Sequence, residues 1–356
     1  MGDLLTPDDV TSRWLTERLQ EAGHDGVEVK DFSSTAIGTG QLGKCIRFTL
    51  EIEGGNPETP HSLVGKFPSD DPTSRQTGVM LQNYIKEVTF YRELQSRLSI
   101  STPRCYYAAI EGVGPEFALL LEDLAPAEQG DQIAGCSVEV ARAAVLELVG
   151  LHAPSWCAAE LRGKPWLGEP NEPTIQLVRG LYRAQLPGFL ERYGARLAPD
   201  EIAIIEGVAE SRGAPFDLLG DPFSLTHVDY RLDNLLIDST RSQPRVTAVD
   251  WQSITLGNPM TDVAYFMGSG LVPEDRRAVE EEILAEYHAA LRENGVEDYD
   301  WDRCWEHYRR GVFSGLVVTV VASMMVKQTE RGDEMFTTMA KRHSGHAIDL
   351  GSDEYF

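Results

Sequence analysis

The chain has 356 residues, of which 42% are apolar and 25% charged, the composition of a globular protein with a sizeable buried core. Its 56 acidic residues outnumber 32 basic ones and give a formal net charge of −24, which argues against nucleic acid and anionic membrane surfaces as partners. The excess of acid either keeps the protein soluble or attracts a cationic substrate, and net charge alone does not decide between the two.

The first third of the chain is predicted to be mainly β. Lys44–Glu53 alternates apolar and polar residues, which predicts a half-buried strand, and a turn at Gly54–Pro57 leads to a second strand at Leu63–Phe67. Apolar residues at helical spacing predict a helix over Met80–Leu98. Two further strands are predicted, Arg104–Ile110 and Phe117–Leu121.

The remainder is predicted to be mainly helical. The expected helices are Val138–Leu151, Ile175–Tyr193, Asp200–Glu210, Asp275–Asn294 and Trp301–Lys327. Two short β-like runs, Leu235–Ile237 and Val246–Val249, interrupt them, and Thr329–Phe356 reads as a polar, partly disordered tail. The pattern predicts an α+β fold with two lobes that meet near Glu122–Pro126, an N-terminal lobe of residues 1–122 and a helical C-terminal lobe of residues 123–356.

The strongest chemical pattern is a His-x-Asp at 227–229 followed by Asn234, with Asp250 directly after the second β-like run. Phosphoryl transfer needs one carboxylate to orient or deprotonate the acceptor hydroxyl, and a carboxylate and an amide oxygen to hold Mg²⁺ against the phosphates. Asp229 suits the first task, and Asn234 and Asp250 suit the second. The alternative is a loop in which these residues only cap turns.

This pattern resembles the catalytic loop and metal-binding segment of the protein-kinase-like fold, in its small-molecule branch of aminoglycoside phosphotransferases, choline kinases and ecdysteroid-kinase-like proteins. Protein kinases usually have Arg where this chain has Val228, and Phe-Gly where it has Trp251 and Gln252. Aminoglycoside enzymes often carry an acid at the position of Gln252. The segment from Asp250 to Gln252, with Asp262–Tyr265 downstream, is most similar to the ecdysteroid-kinase-like branch.

A glycine string also fits this resemblance. Gly38, Gly40 and Gly43 have the Gly-x-Gly-x-x-Gly spacing and precede a strand, whereas a dinucleotide-binding fold requires a helix there. Such a turn brings backbone N–H groups close to phosphates because no Cβ intervenes. A plain hairpin turn remains the alternative.

Lys66 lies within an apolar strand, where a charge is costly unless it is paired. Glu87 on the following helix is the expected partner, and Lys66 is then expected to contact the α- and β-phosphates. The alternative is an edge lysine that reaches solvent and an ordinary surface glutamate.

The resemblance implies two further roles. Main-chain groups of Glu122, Asp123 and Leu124 would bind the adenine edge, and Asp262 and His227 would fix the catalytic loop without touching substrate. His152 is more simply a core histidine, and His343 and His346 are expected in a flexible tail without a metal.

The hypothesis that unites these residues is an O-phosphotransferase that uses ATP, or another nucleoside triphosphate, and Mg²⁺ to phosphorylate a small hydroxylated substrate. Amino sugars, amino alcohols and steroid- or lipid-like alcohols all stay open as acceptors. The alternatives are a catalytically silent nucleotide-binding module and, less favoured, a protein kinase. Scattered cysteines and an acidic N-terminus without an apolar stretch predict a cytoplasmic protein.

Overall fold

The N-terminal strands form one antiparallel sheet. The structure is a computed structural model that describes residues 5–38, 43–213 and 222–356. The strands are β1 (Glu28–Ile37), β2 (Gly43–Glu53), β3 (Ser62–Pro68), β4 (Cys105–Ile110) and β5 (Phe117–Glu122). Their order across the sheet is β1-β2-β3-β5-β4, and β5, between β3 and β4, is buried from Phe117 to Leu121, as its unbroken apolar run requires.

Three helices accompany this sheet: α1 (Ser12–Glu21), α2 (Pro72–Met80) and α3 (Asn83–Thr89). α3 continues through a π-helical turn at Phe90–Leu94. The predicted helix was expected to start at Met80, but α3 starts three residues later, at Asn83. Met80 ends α2, and Gln82 takes a left-handed φ of 60° between the two helices. α1 and β1 are additional to the predicted elements; most of β1 is exposed, so it lacks an alternating pattern.

The second part of the chain is mainly helical. Its helices are α4 (Val138–Glu147), α5 (Val149–His152), α6 (Glu172–Tyr193), α7 (Pro199–Glu210), α8 (Met260–Gly270), α9 (Pro273–Glu293), α10 (Trp301–Gly311), α11 (Phe313–Met325) and α12 (Glu330–Asp349). Its short strands are β6 (Glu128–Gln129), β7 (Ser224–Thr226), β8 (Leu235–Asp238), β9 (Arg245–Ala248) and β10 (Thr255–Gly257). They pair as β6-β8-β9 and as β10-β7.

Two predictions about the C-terminal region are wrong. The single helix expected over Trp301–Lys327 is two helices, α10 and α11, separated at Val312. The tail expected to be polar and partly disordered contains α12, which packs against α11, α7 and α8. Apolar and histidine side chains recur there at helical spacing and are buried, namely Met335, Phe336, Met339, Ala340, His343, His346 and Ala347.

The chain divides into two compact units. The first, here called the sheet unit, comprises Met1–Arg97, Thr102–Pro126 and Asp250–Ser253. The second, the helical unit, comprises Leu98–Ser101, Ala127–Val249 and Ile254–Phe356. No helix in the described part of the chain is long and apolar enough to cross a membrane.

Candidate active site

In the sheet unit, Lys66 lies between two carboxylates. Its Nζ is 2.7 Å from Glu87 Oε1 and 2.7 Å from Asp250 Oδ1. The ion pair expected between Lys66 and Glu87 is therefore present, and Asp250 is a second partner. We call these three residues the lysine group.

Two carboxylate partners stabilise the charge of Lys66. Burial disfavours the Lys66 ammonium, but Asp250 and Glu87 outweigh that cost, and the net effect raises the pKa of Lys66. Lys66 therefore keeps its positive charge at neutral pH inside a largely apolar strand. A fixed cation of this kind can bind an anionic group such as a phosphate.

Contacts of its neighbours hold Asp250 in place. The Trp251 ring stacks flat on Phe90 with centroids 3.9 Å apart, and Asn83 Nδ2 donates to the Gln252 carbonyl at 2.9 Å. Gln252 Nε2 donates to Asp250 Oδ2 at 3.1 Å. Asp250 itself has a positive φ of 66°, which is uncommon for a non-glycine residue, although aspartate tolerates it better than most.

The glycine string connects β1 to β2, which pair antiparallel with Ile37 opposite Cys45. Gly38 has a positive φ of 72°. Gly43 opens β2, and a Cβ there would lie 3.1 Å from the Phe67 carbonyl oxygen. Gly40 lies outside the described residues. The string is thus flanked by two strands, and its contact with phosphates stays a prediction.

The segment expected to bind adenine follows β5. Glu122 ends that strand, and Asp123 accepts hydrogen bonds from Arg47 Nε at 2.6 Å and Nη2 at 3.0 Å. Burial opposes ionisation of Asp123, but Arg47 and other donors outweigh it and lower the pKa of this carboxyl. Leu124 comes next in an irregular segment. The adenine contact itself stays a prediction.

In the helical unit, the carboxylate of Asp229 accepts three side-chain hydrogen bonds. Oδ1 takes Tyr265 Oη at 2.9 Å and Arg231 Nε at 3.0 Å, and Oδ2 takes Asn234 Nδ2 at 2.8 Å. A 3₁₀ turn at Leu232–Asn234 brings Asn234 back towards Asp229. We call Asp229, Arg231, Asn234 and Tyr265 the aspartate group.

These donors keep Asp229 ionised. Burial alone would raise the pKa of its carboxyl, but Arg231, Tyr265 and Asn234 outweigh burial and lower it. Asp229 is therefore an acceptor of hydrogen bonds at neutral pH, as an orienting base must be.

The backbone before Asp229 is fixed by Asp262 on α8. The N–H groups of His227 and Val228 donate to the two Asp262 carboxylate oxygens at 2.6 and 2.9 Å. His227 Nε2 lies 3.0 Å from the Val249 carbonyl oxygen, and Val228 has a positive φ of 73°. That these contacts fix the catalytic loop, as the resemblance implies for Asp262 and His227, stays a prediction. His152 is a buried core residue whose Nδ1 lies 2.7 Å from Tyr287 Oη.

Several residues of the helical unit that contact Asp229 or its partners were not predicted from the sequence. Arg231 and Asp233 lie inside the recognised motif and are charged, which is an available signal. Tyr265 lies three residues after Asp262 and so shares its helix face. Arg331, which donates to Asp233, is 98 positions away, and no local pattern indicates it.

The metal ligands predicted from the sequence are one amide, Asn234, and one carboxylate, Asp250. Within residues 5–38, 43–213 and 222–356 no group of three or more His, Cys, Asp or Glu residues could hold a metal ion. Mg²⁺ in phosphoryl-transfer enzymes usually takes only one or two protein carboxylates, together with phosphate oxygens and water. Both hydrogen bonds of the Asn234 side chain use its amide nitrogen, so its amide oxygen is turned away from Asp229.

Comparison with known proteins agrees with this chemistry. The family model described as the phosphotransferase enzyme family matches residues 63–304. Choline kinase from Cryptosporidium parvum Iowa II is similar in structure, with a TM-score of 0.53 at 11% identity over 90% of this chain and 89% of that one. The GDP complex of wild-type aminoglycoside 2′-phosphotransferase-IIIa gives a TM-score of 0.50 at 13% identity over 94% and 99%. No curated protein sequence matches. The structural likeness confirms the predicted α+β, protein-kinase-like fold.

Proposed function

Because this chain belongs to the phosphotransferase enzyme family, we propose that it transfers the γ-phosphate of ATP, or of another nucleoside triphosphate, to a hydroxyl of a small molecule. The observation that carries this proposal is the ionised Asp229 carboxylate, with Asn234 turned towards it through its amide nitrogen. The lysine group and the glycine string of the sheet unit would serve the nucleotide, and the helical unit would serve the acceptor.

Lys66 is the proposed phosphate-binding cation. Glu87 and Asp250 hold its ammonium from two sides, so its position does not depend on the ligand. The backbone of Gly38–Gly43 would cover the phosphates, and Glu122–Leu124 would bind the base. The similar aminoglycoside 2′-phosphotransferase-IIIa structure contains GDP, which supports nucleotide use here as well.

Asn234 and Asp250 are the proposed ligands of Mg²⁺. An amide oxygen and a carboxylate are hard oxygen donors, the kind that this ion prefers. Bound Mg²⁺ would neutralise part of the charge on the transferring phosphates. The chain's own contribution is to hold these two donors, through the 3₁₀ turn before Leu235 for Asn234 and through the stacked Trp251 for Asp250.

Asp229 would orient the acceptor. The substrate hydroxyl donates its hydrogen bond to an Asp229 oxygen, and the hydroxyl oxygen forms the new bond to the γ-phosphorus. The bond between the γ-phosphorus and the β,γ-bridging oxygen breaks, and the hydroxyl proton passes to Asp229. Most of the acceleration would come from this positioning, since little covalent work falls to the protein.

The acceptor is proposed to be a small alcohol. A cationic alcohol would suit the net charge of −24, and the protein similar in structure from Cryptosporidium parvum is a choline kinase. The segment from Asp250 to Gln252 instead resembles the ecdysteroid-kinase-like branch, so hydroxylated sterols belong in the same panel as aminoglycosides and amino alcohols.

The test is phosphorylation of this panel with ATP and Mg²⁺, read as phosphorylated product. Asp229→Asn should lower kcat at least about 100-fold while nucleotide affinity changes little, since only the proton acceptor is lost. Lys66→Met should instead raise the nucleotide KM as well. Asp238→Asn, at the end of β8, is the matched control and should keep wild-type turnover.

Two results would count against the proposal. Wild-type rates from Asp229→Asn would remove this residue from the reaction. Mg²⁺-dependent nucleotide binding without any phosphorylated product across the panel would favour the silent binding module, and strong labelling of proteins would favour a protein kinase.

A further inference from the structure

Helix α12 contacts the aspartate group although it lies beyond residue 304, where the family match ends. Three of its side chains are involved: Arg331, Met335 and His343. Arg331 and Met335 reach the segment that follows Asp229, and His343 reaches Tyr265. All of these residues belong to the helical unit.

The first connection is a chain of alternating charges. Arg331 Nη2 and Nη1 lie 3.1 and 3.2 Å from the two carboxylate oxygens of Asp233. Asp233 Oδ2 also accepts from Arg231 Nη1 at 2.7 Å, and Arg231 Nε in turn donates to Asp229. Met335 Sδ lies 3.4 Å from the same Arg231 Nη1. The Arg231 guanidinium is therefore fixed between two carboxylates, one of which is held from α12.

The second connection runs through an aromatic ring. His343 stacks on Tyr265 with ring centroids 5.3 Å apart and planes 20° apart. Tyr265 in turn donates its hydroxyl to Asp229 at 2.9 Å. Both rings are buried, so a movement of Tyr265 away from Asp229 would disturb its packing against His343 of α12.

We infer that α12 positions the Asp229 carboxylate, through Arg331 and Arg231 on one side and through His343 and Tyr265 on the other. The inference rests on the proposed function for its catalytic consequence. Arg331, Met335 and His343 are positioning residues, since they act on Asp229 only through Arg231 and Tyr265. Transfer to a hydroxyl is sensitive to such positioning, because an error of about 1 Å can cost about 100-fold in rate.

Substitution of Arg331 can test the positioning of Asp229 without a large loss of stability. Its side chain is 52% exposed, and exposed ion pairs contribute little to stability. Asp233, by contrast, is 8% exposed and keeps Arg231 and the Gln132 backbone N–H as partners when Arg331 is removed. The loss of Arg331 then draws Arg231 towards Asp233 and away from Asp229.

The test compares Arg331→Ala with Arg277→Ala. Arg277 is also about half exposed and pairs with Asp349 at the other end of α12, 2.7 Å away, so it is a matched control. We expect Arg331→Ala to lower kcat about tenfold with little change in the nucleotide KM, and Arg331→Lys to recover part of the loss. Arg277→Ala should keep the wild-type kcat, and the two Ala variants should have similar thermal midpoints.

Hydrogen exchange provides a readout that needs no acceptor. Amides of residues 229–234 should exchange faster in Arg331→Ala than in Arg277→Ala. Unchanged exchange, or faster exchange with an unchanged kcat, would overturn the inference. If the wild type phosphorylates nothing, the proposed function fails, and exchange alone then decides whether α12 holds the Asp229 segment.

Discussion

The imidazole of His343 is fully buried, and neither ring nitrogen has a hydrogen-bond partner among the described residues. Burial, together with the neighbouring His346 and Arg342, lowers the pKa of His343 to about 3. The ring is therefore neutral in the folded protein at all ordinary pH values, whereas the unfolded chain protonates it near its usual pKa of about 6.5.

This difference predicts an acid sensitivity. Between about pH 6.5 and 3 the unfolded state binds a proton at His343 that the folded state does not, so the free energy of unfolding falls as the pH falls. In His343→Leu this contribution is absent. Unfolding by urea at pH 7.5 and pH 5 should then show an acid-induced loss smaller by about 2 kcal/mol than in the wild type.

His61 provides the comparison, because it is exposed. His61→Leu should lose as much stability between the two pH values as the wild type does. An identical acid-induced loss in His343→Leu and the wild type would show that His343 takes up its proton in the folded protein.

Individual site residues were predictable where the chemistry of a side chain required one particular kind of partner. A lysine inside an apolar strand needs a carboxylate, and Glu87 is available one helix later. Tyr265 and Arg231 were not predicted as donors to Asp229, because a tyrosine in an apolar helix and an arginine in a loop each have many ordinary partners. Val228 likewise gives no sign in the sequence of its positive φ, since a β-branched residue disfavours that conformation.

Gly65, the residue before Lys66 in β3, has no room for a larger side chain. A Cβ on Gly65 would lie 2.5 Å from Phe67 Cε2 and 2.7 Å from Phe48 Cε2, and both rings belong to the buried core of the sheet unit. Gly65→Ala should therefore lower the free energy of unfolding by about 1 to 3 kcal/mol, because the rings must leave their packed positions. The midpoint of urea unfolding measures this change.

Gly180 in α6 is the control, because a Cβ there meets no atom within 4 Å. Gly180→Ala should stabilise the protein by up to about 1 kcal/mol through helix propensity. An unchanged urea midpoint in Gly65→Ala would mean that the two phenylalanine rings can move apart at no cost.

Helices and strands were predicted well where one face is apolar, as in β2 and α9, or where the apolar run is unbroken, as in β5. Their ends were less predictable, because single residues decide them: Gln82 separates α2 from α3, and a break at Val312 divides α10 from α11. α12 was missed because its buried face mixes methionines, histidines and small residues within a charged sequence. That composition reads as polar until the partner helices are known.

The enzyme class and the fold were predictable, and both are confirmed: the family match identifies a phosphotransferase, and the structural likeness shows the fold. The motif around Asp229 is local and dictated by chemistry, so one sequence suffices to find it. The C-terminal contacts that surround it are long-range, and no pattern within a single segment encodes them.

A net charge of −24 should make the stability of the whole protein depend on salt. Like charges repel most in the compact state, and salt screens them over about 10 Å at 0.1 M. The thermal midpoint should rise by a few degrees, roughly, between 20 and 200 mM NaCl. A midpoint that falls over this range would mean that attractive ion pairs outweigh the repulsion.

The four residues Asp250–Ser253 belong to the sheet unit although 123 positions separate them from Pro126, where the rest of that unit ends. No single proteolytic nick or gene truncation can release this unit intact. A fragment that stops at Pro126 keeps Lys66 but loses Asp250, and it uncovers the face of Phe90 on which Trp251 stacks. Attempts to dissect the protein into halves should therefore supply the missing tetrapeptide through a redesigned connection.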